Sequence, residues 1–209
     1  MVSKIKTYLF WGIVILRKIV VSEFVTLDGV MEDPGGSEGT ERGGWAFRFN
    51  RGSEGDKFKF DELVASDALL LGRTTYQAFA GAWPSRTDEF ADKMNNIAKY
   101  VVSTTLEKAD WTNSHIIKGN IAEEISKLKN QPGMDILVAG SGQLVDMLIE
   151  NQLIDEYRLM VFPLILRRGK RLFKDGTVGV PLRLVEVKSV GSEGVVVLTY
   201  LAKEKMGEK

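Results

Sequence analysis

The chain contains no cysteine and a single histidine, His115. The absence of thiols excludes a disulfide scaffold, a thiol nucleophile and thiolate metal sites, and suits a reducing compartment such as the cytoplasm. One imidazole is too few for a histidine-based metal centre, and with no cysteine there is no zinc deaminase motif. Net charge is absent as well. The 28 Lys and Arg residues are matched by 28 Asp and Glu, so no overall basic field attracts nucleic acid. Long apolar runs are scarce: the stretch Tyr8 to Leu16 near the start is too short to span a bilayer, and Arg17-Lys18 follow it where a cleavage site would need small residues. We expect residues 1–16 to be a dispensable N-terminal extension and residues 17–209 to form one domain. A membrane contact by that extension is the lesser reading.

What is present is a core. With 44% hydrophobic residues in 209, the chain has ample apolar surface to bury. "KIVVSEFVTLDGVMEDPGG" begins as a β-branched strand and ends in a loop of Asp, Gly and Pro. Residues 35–57 are glycine-rich and charged, with Trp45, Phe47 and Phe49 alternating, and read as a long loop anchored by aromatics that lies as a lid over a pocket.

Beyond the loop, strands and helices alternate. A short helix precedes the strand "ALLLG", which runs into Arg73-Thr74-Thr75 at a helix start; "KYVVSTTL" ends in a hydroxyl cluster; "HIIKG" is a short strand whose histidine is solvated. "NIAEEISKLKN" is a helix with Asn120 as its N-cap. The strand "DEYRLMVFPLIL" is interrupted by Pro163, which suggests a bulge or an edge, and two last strands flank the hairpin signal Gly191-Ser192-Glu193. The order predicts an α/β fold: a mostly parallel central sheet with helices on both faces, closed by a C-terminal antiparallel hairpin.

In such sheets ligands sit outside the carboxyl ends of the strands. Three strand ends here carry groups suited to phosphate: Gly72-Arg73-Thr74-Thr75, Ser103-Thr104-Thr105 and Gly140-Ser141-Gly142. Glycines admit close backbone approach, and the first N–H groups of a helix are free donors at the positive end of its dipole. Each motif alone also reads plainly, as a surface ion pair for Arg73, a strand-end cap for Ser103 and a tight turn for the glycines.

In this order, "SEFVTLDGVME", "LLLGRTTYQAF", "YVVSTTL", "ILVAGSGQLVDMLIENQLIDEYRLMVFPLIL" and "GKRLF" resemble the dihydrofolate reductase-like family. The branch they resemble most contains the reductase domain of bacterial riboflavin biosynthesis and its free-standing relatives, over residues 17 to 203. The resemblance implies NADPH as cofactor, a small pteridine-like or pyrimidine-like substrate, and a cytoplasmic enzyme for which a homodimer is an open assembly. It assigns Gly72, Arg73, Thr74 and Thr75 to the adenosine and pyrophosphate end, where a guanidinium fork suits a 2′-phosphate. Ser103, Thr104 and Thr105 match a second adenosine-side element, and Gly140, Ser141, Gly142, Gln143 and Leu144 match the pyrophosphate turn. Asp28 and Gly29 match the loop bordering nicotinamide and substrate, with Asp28 orienting substrate N–H groups or a water; an ordinary Asp-Gly turn is the alternative. Trp45 either covers the substrate ring or anchors its loop.

One segment departs from the family. Arg167, Arg168, Lys170 and Arg171 place four basic residues in five positions, either to bind a substrate phosphate or as a solvated surface. The function expected is a stand-alone NADPH-dependent reductase, with a non-catalytic nucleotide-binding protein as the alternative.

Overall fold

Ile19, Val20 and Val21 are all inaccessible to solvent, because the strand that carries them, β1 (Ile19–Thr26), is covered on both faces. This computed structural model describes residues 16–176 and 179–203; the expected extension therefore lies outside the described residues except for Leu16, which already bridges Pro132. After β1 come α1 (Gly52–Val64), β2 (Ser66–Gly72), α2 (Arg73–Ala82), α3 (Glu89–Asn96), β3 (Ala98–Val102) and β4 (Ser114–Ile117). The chain continues with α4 (Ile121–Lys129), β5 (Asp135–Val138), α5 (Gly142–Glu150), β6 (Glu156–Phe162), β7 (Leu182–Val190) and β8 (Val195–Ala202).

The eight strands lie in the order β4-β3-β2-β5-β1-β6-β8-β7. Neighbours from β4 to β6 are parallel, while β8 runs antiparallel to both β6 and β7. Strand periodicity divides the core. Ile19 and Val21 point to one face with Ile125 and Leu128 of α4 and Val145 and Leu148 of α5; Val20 points to the other with Leu63 of α1, Tyr76 of α2 and Met94 of α3. Two-sided cover explains the near-continuous apolar runs "IVV" and "ALLL" in the parallel strands.

Two expectations change. Pro163 neither bulges nor marks an edge: β6 lies inside the sheet between β1 and β8, and proline, lacking an N–H, follows its last residue and ends it. The 35–57 segment is not loop throughout. A helical turn occupies Trp45–Arg48, and α1 begins at Gly52; glycines and charges at its start mask the helix in the sequence.

Candidate active site

β2 passes the chain to α2 on one face of the sheet, and its neighbour β5 passes it to α5 on the other. Where adjacent parallel strands send their connections to opposite sides, a crevice opens between the two helix starts. The corners at this crevice are bonded together. The Gly72 N–H donates to Ser141 Oγ at 2.8 Å, and the Ser141 hydroxyl donates to Thr75 Oγ1 at 2.8 Å. Gly140 and Ser141 are both left-handed, with φ of 69° and 71°, and a β-carbon on Gly140 would stand 2.9 Å from the Thr75 side chain. Gly142 has no such conformation, so the demand that two glycines announced in the sequence falls on Gly140 and on a serine.

Both helix starts are left open. Neither α2 nor α5 has an acidic residue in its first turn or a side-chain cap, since the Ser141 hydroxyl is committed to the other corner. The first bonds of α5 are those of Leu144 and Val145 to the Ser141 carbonyl, which leaves the Gly142 and Gln143 N–H groups as donors at the dipole's positive end. Arg73 and Thr74 are exposed beside this turn, and among the described residues the guanidinium hydrogen-bonds only to Gln77, at 3.4 Å. At the end of neighbouring β3, Thr104 and Thr105 are exposed too.

Two residues assigned here serve the fold. Ser103 is buried, and its Oγ accepts the N–H groups of Thr105 and Leu106, which is the strand-end cap. The Leu144 side chain lies in the core with Val145. Open helix-start donors, the exposed Arg73 guanidinium beside them and a left-handed Gly140 that carries no side chain suit the phosphates of a nucleotide.

The far end of the crevice is built from the turn after β1 and residues 164–172. Asp28 accepts the Thr26 hydroxyl at 2.6 Å and the N–H groups of Leu166 and Arg167 at 3.2 and 2.8 Å. Burial opposes its charge, but these bonds outweigh it and hold the carboxyl below its ordinary value. Both oxygens are therefore occupied, and the group is an ionised clamp between two loops. Gly29 takes a φ of 78°, its N–H returns to the Thr26 carbonyl, and its own carbonyl accepts the Leu172 N–H. The basic segment divides: Lys170 pairs with Glu32 at 3.1 Å, whereas Arg167 and Arg168 join Arg42 around a cavity of about 430 Å³.

Trp45 is the clear correction. It has no exposed surface, its ring meets Phe162 edge-on at 5.3 Å, and its Nε1–H donates to the Glu32 carbonyl at 2.8 Å. The geometry is that of the anchor, not the substrate cover. Asp33 completes the hold on the loop: buried itself, it accepts the N–H groups of Glu38 and Thr40 at 2.9 and 3.0 Å. His115 is exposed beside Tyr100, away from these strand ends on β4.

Glu23 was missed. It is buried on β1 below the Gly140 turn, and among the described residues its Oε1 has no hydrogen-bond partner. The sequence did carry a signal, a lone carboxylate inside the apolar run "IVVSEFV". Among the described residues, no cluster of His, Cys, Asp or Glu is arranged to hold a metal ion, and no helix is long and apolar enough to cross a membrane.

Known proteins share this architecture. A family model described as the RibD C-terminal domain matches residues 17–197. The uncharacterized protein YyaP of Bacillus subtilis (strain 168) is 32% identical over 189 residues, covering 88% of this chain and 94% of that protein. Among solved structures, a putative riboflavin biosynthesis protein from Shewanella sp. PV-4 superposes with a TM-score of 0.72 at 19% identity, over 90% of this chain and 99% of the other. Dihydrofolate reductase from Enterococcus faecalis, solved with NADP(H) and RAB-propyl, superposes with a TM-score of 0.57 at 14% identity, over 90% of this chain and 97% of the other. These two likenesses give the fold as dihydrofolate reductase-like. With the family match spanning residues 17–197 of 209, the protein belongs to the RibD C-terminal domain family.

Proposed function

We propose that this protein is a cytoplasmic, NADPH-dependent reductase of a small pyrimidine-like or pteridine-like substrate that carries an anionic group, as a phosphorylated ribosyl chain does. The observation that carries the reading is the bonded pair of corners at Gly72–Thr75 and Gly140–Gln143, which presents open helix-start donors beside the exposed Arg73 guanidinium. Family membership supports reduction as the chemistry, and the NADP(H) held by the Enterococcus faecalis reductase supports the cofactor.

When bound, NADPH supplies the hydride. In this reading Arg73 takes the 2′-phosphate, with the neighbouring Thr74 and the exposed Thr104 at the end of β3 on the same side, and the Gly142 and Gln143 N–H groups take the diphosphate. The Asp28 clamp holds the turn after β1 against residues 164–172, which shapes the ring end of the crevice. Arg42, Arg167 and Arg168 offer three guanidinium groups to a substrate anion next to that clamp. Catalysis would rest on holding two rings in register and excluding water.

A second reading, nucleotide binding without turnover, is favoured by one feature. Asp28 is ionised with both oxygens occupied, so it has no proton to give. A panel of folates, pterins and phosphoribosylaminopyrimidines, followed by NADPH absorbance, separates the two. Turnover on any member establishes the reductase; NADPH binding without oxidation across the panel supports the binding protein, and the absence of NADPH binding overturns both.

A further inference from the structure

β1 runs beside β6 from Val20 to Thr26, but its pairing with β5 stops at Val21 with Val138. From Ser22 onward β1 borders the crevice, because β5 has already turned away through Ala139 and Gly140. Glu23 is the first residue past that point whose side chain is acidic, and it is 5% exposed. Its surroundings do little for a negative charge. On β6 its register partner is Leu159, and on the α5 side the core residues nearest the turn are Leu144 and Val145. From α1, Lys59 and Glu62 act on it with opposite signs, and Lys59 is already paired with Glu62 and bonded to the Ser22 hydroxyl at 2.7 Å. By register Gly140 lies opposite Glu23, two places beyond the Val21–Val138 pair, and among the described residues Oε1 has no hydrogen-bond partner.

Burial pushes the Glu23 carboxyl up to about 8; the Lys59 charge and the Gly140 N–H oppose the rise, and Glu62 adds to it. At neutral pH the carboxyl is a neutral acid directly under the turn that the NADPH reading assigns to a diphosphate.

We propose that Glu23 is a positioning residue for that turn: as a neutral acid it leaves the positive end of α5 available to an anion, and as a carboxylate it sets a buried negative charge beneath that end and repels the anion. The inference rests on the NADPH reading above and deepens it, by making cofactor affinity depend on one buried proton. By linkage the converse holds, and a bound dianion must keep Glu23 protonated. Below about pH 8 affinity is flat with respect to this group; above it, affinity falls by up to about tenfold per pH unit, the limit for one proton.

The test is the NADPH dissociation constant of the wild-type protein and of Glu23→Gln between about pH 6.5 and about pH 9.5, with melting curves at each pH to confirm folding. The wild-type affinity should fall at the alkaline end, while Glu23→Gln keeps its neutral-pH affinity throughout, since glutamine preserves the shape without the charge. Parallel profiles, with NADPH bound by both proteins, would overturn the role of Glu23 and leave the cofactor reading standing. Binding by neither protein at any pH overturns the cofactor reading, and this inference with it. A measurement on the wild-type protein alone guards against a misfolded variant: calorimetry at about pH 9 in two buffers of different ionisation enthalpy should show proton uptake on NADPH binding. Binding without proton uptake there counts against the proposal whatever the variant does.

Discussion

The Ser141 hydroxyl stands 2.8 Å from Thr75 Oγ1 while accepting the Gly72 N–H at 2.8 Å, so one side chain joins the corners after β5 and β2. Ser141 adopts a left-handed φ of 71° to do this. A residue that accepts such a conformation without being glycine is held there by its partners, and here the partners belong to the opposite wall of the crevice.

Replacing Ser141 by alanine removes both bonds at once. At about 0.5–1.5 kcal/mol for each, the melting temperature should fall by a few degrees while the protein stays folded at room temperature. NADPH affinity should fall further than stability, because the two corners no longer hold a common geometry. Thermal shift with and without NADPH reads both effects, and an undiminished NADPH shift would reject the coupling.

The two glycines of the turn should respond differently to alanine. Gly140→Ala forces a β-carbon into a left-handed residue, at a cost of about 1–2 kcal/mol, and sets it 2.9 Å from Thr75. At Gly142 the added carbon meets the Met31 sulfur at 3.2 Å, a flexible side chain that can yield, and stands at ordinary contact distance, 4.0 Å, from the Arg171 carbonyl. Gly140→Ala should therefore lower the melting temperature and the NADPH affinity, with Gly142→Ala close to wild type. Equal losses at both positions would contradict the geometry.

Arg73 is exposed and, among the described residues, bonded only to Gln77, so its removal should leave the fold intact. Charge-assisted bonds contribute about 1.5–3 kcal/mol, and Arg73→Ala should cut the preference for NADPH over NADH by roughly tenfold or more. The ratio of the two dissociation constants measures this. A wild-type protein that binds both cofactors equally excludes the 2′-phosphate role.

For Asp28 the sign of the pH dependence is fixed by its lowered value. Its bonds to Thr26, Arg167 and Leu166 contribute stability above the ordinary carboxyl value of 3.8, and that contribution is lost as pH falls through the lower folded value. Asp28→Asn should thus melt earlier than wild type at neutral pH, by an amount near the low end for charge-assisted bonds because the site is partly exposed. The difference should shrink below about pH 4. A gap that persists unchanged in acid would mean that shape, not charge, makes the clamp.

The alternation of strands and helices, the C-terminal hairpin and the glycine corner at Gly140 were legible in the sequence, because each rests on local periodicity or on a local backbone demand. The Asn120 cap was legible for the same reason: it bonds the N–H of Glu123, three residues on, at 3.5 Å. Arg73 at a helix start is also a local fact.

Partners distant in the chain were not legible. Asp28 reads as a turn residue until Leu166 and Arg167 arrive, 138 and 139 positions away, to take both its oxygens. Trp45 could equally have faced a ligand, and its burial against Phe162 and bond to Glu32 were decided by how the loop meets β6. In Glu23 the sequence determined that a carboxylate sits within a buried strand; only the tertiary structure decided that β5 would turn away beside it and leave its oxygen without a donor. Backbone conformation depends on near neighbours, whereas burial and the company of a charge depend on which distant segments pack together, and no local pattern records that choice.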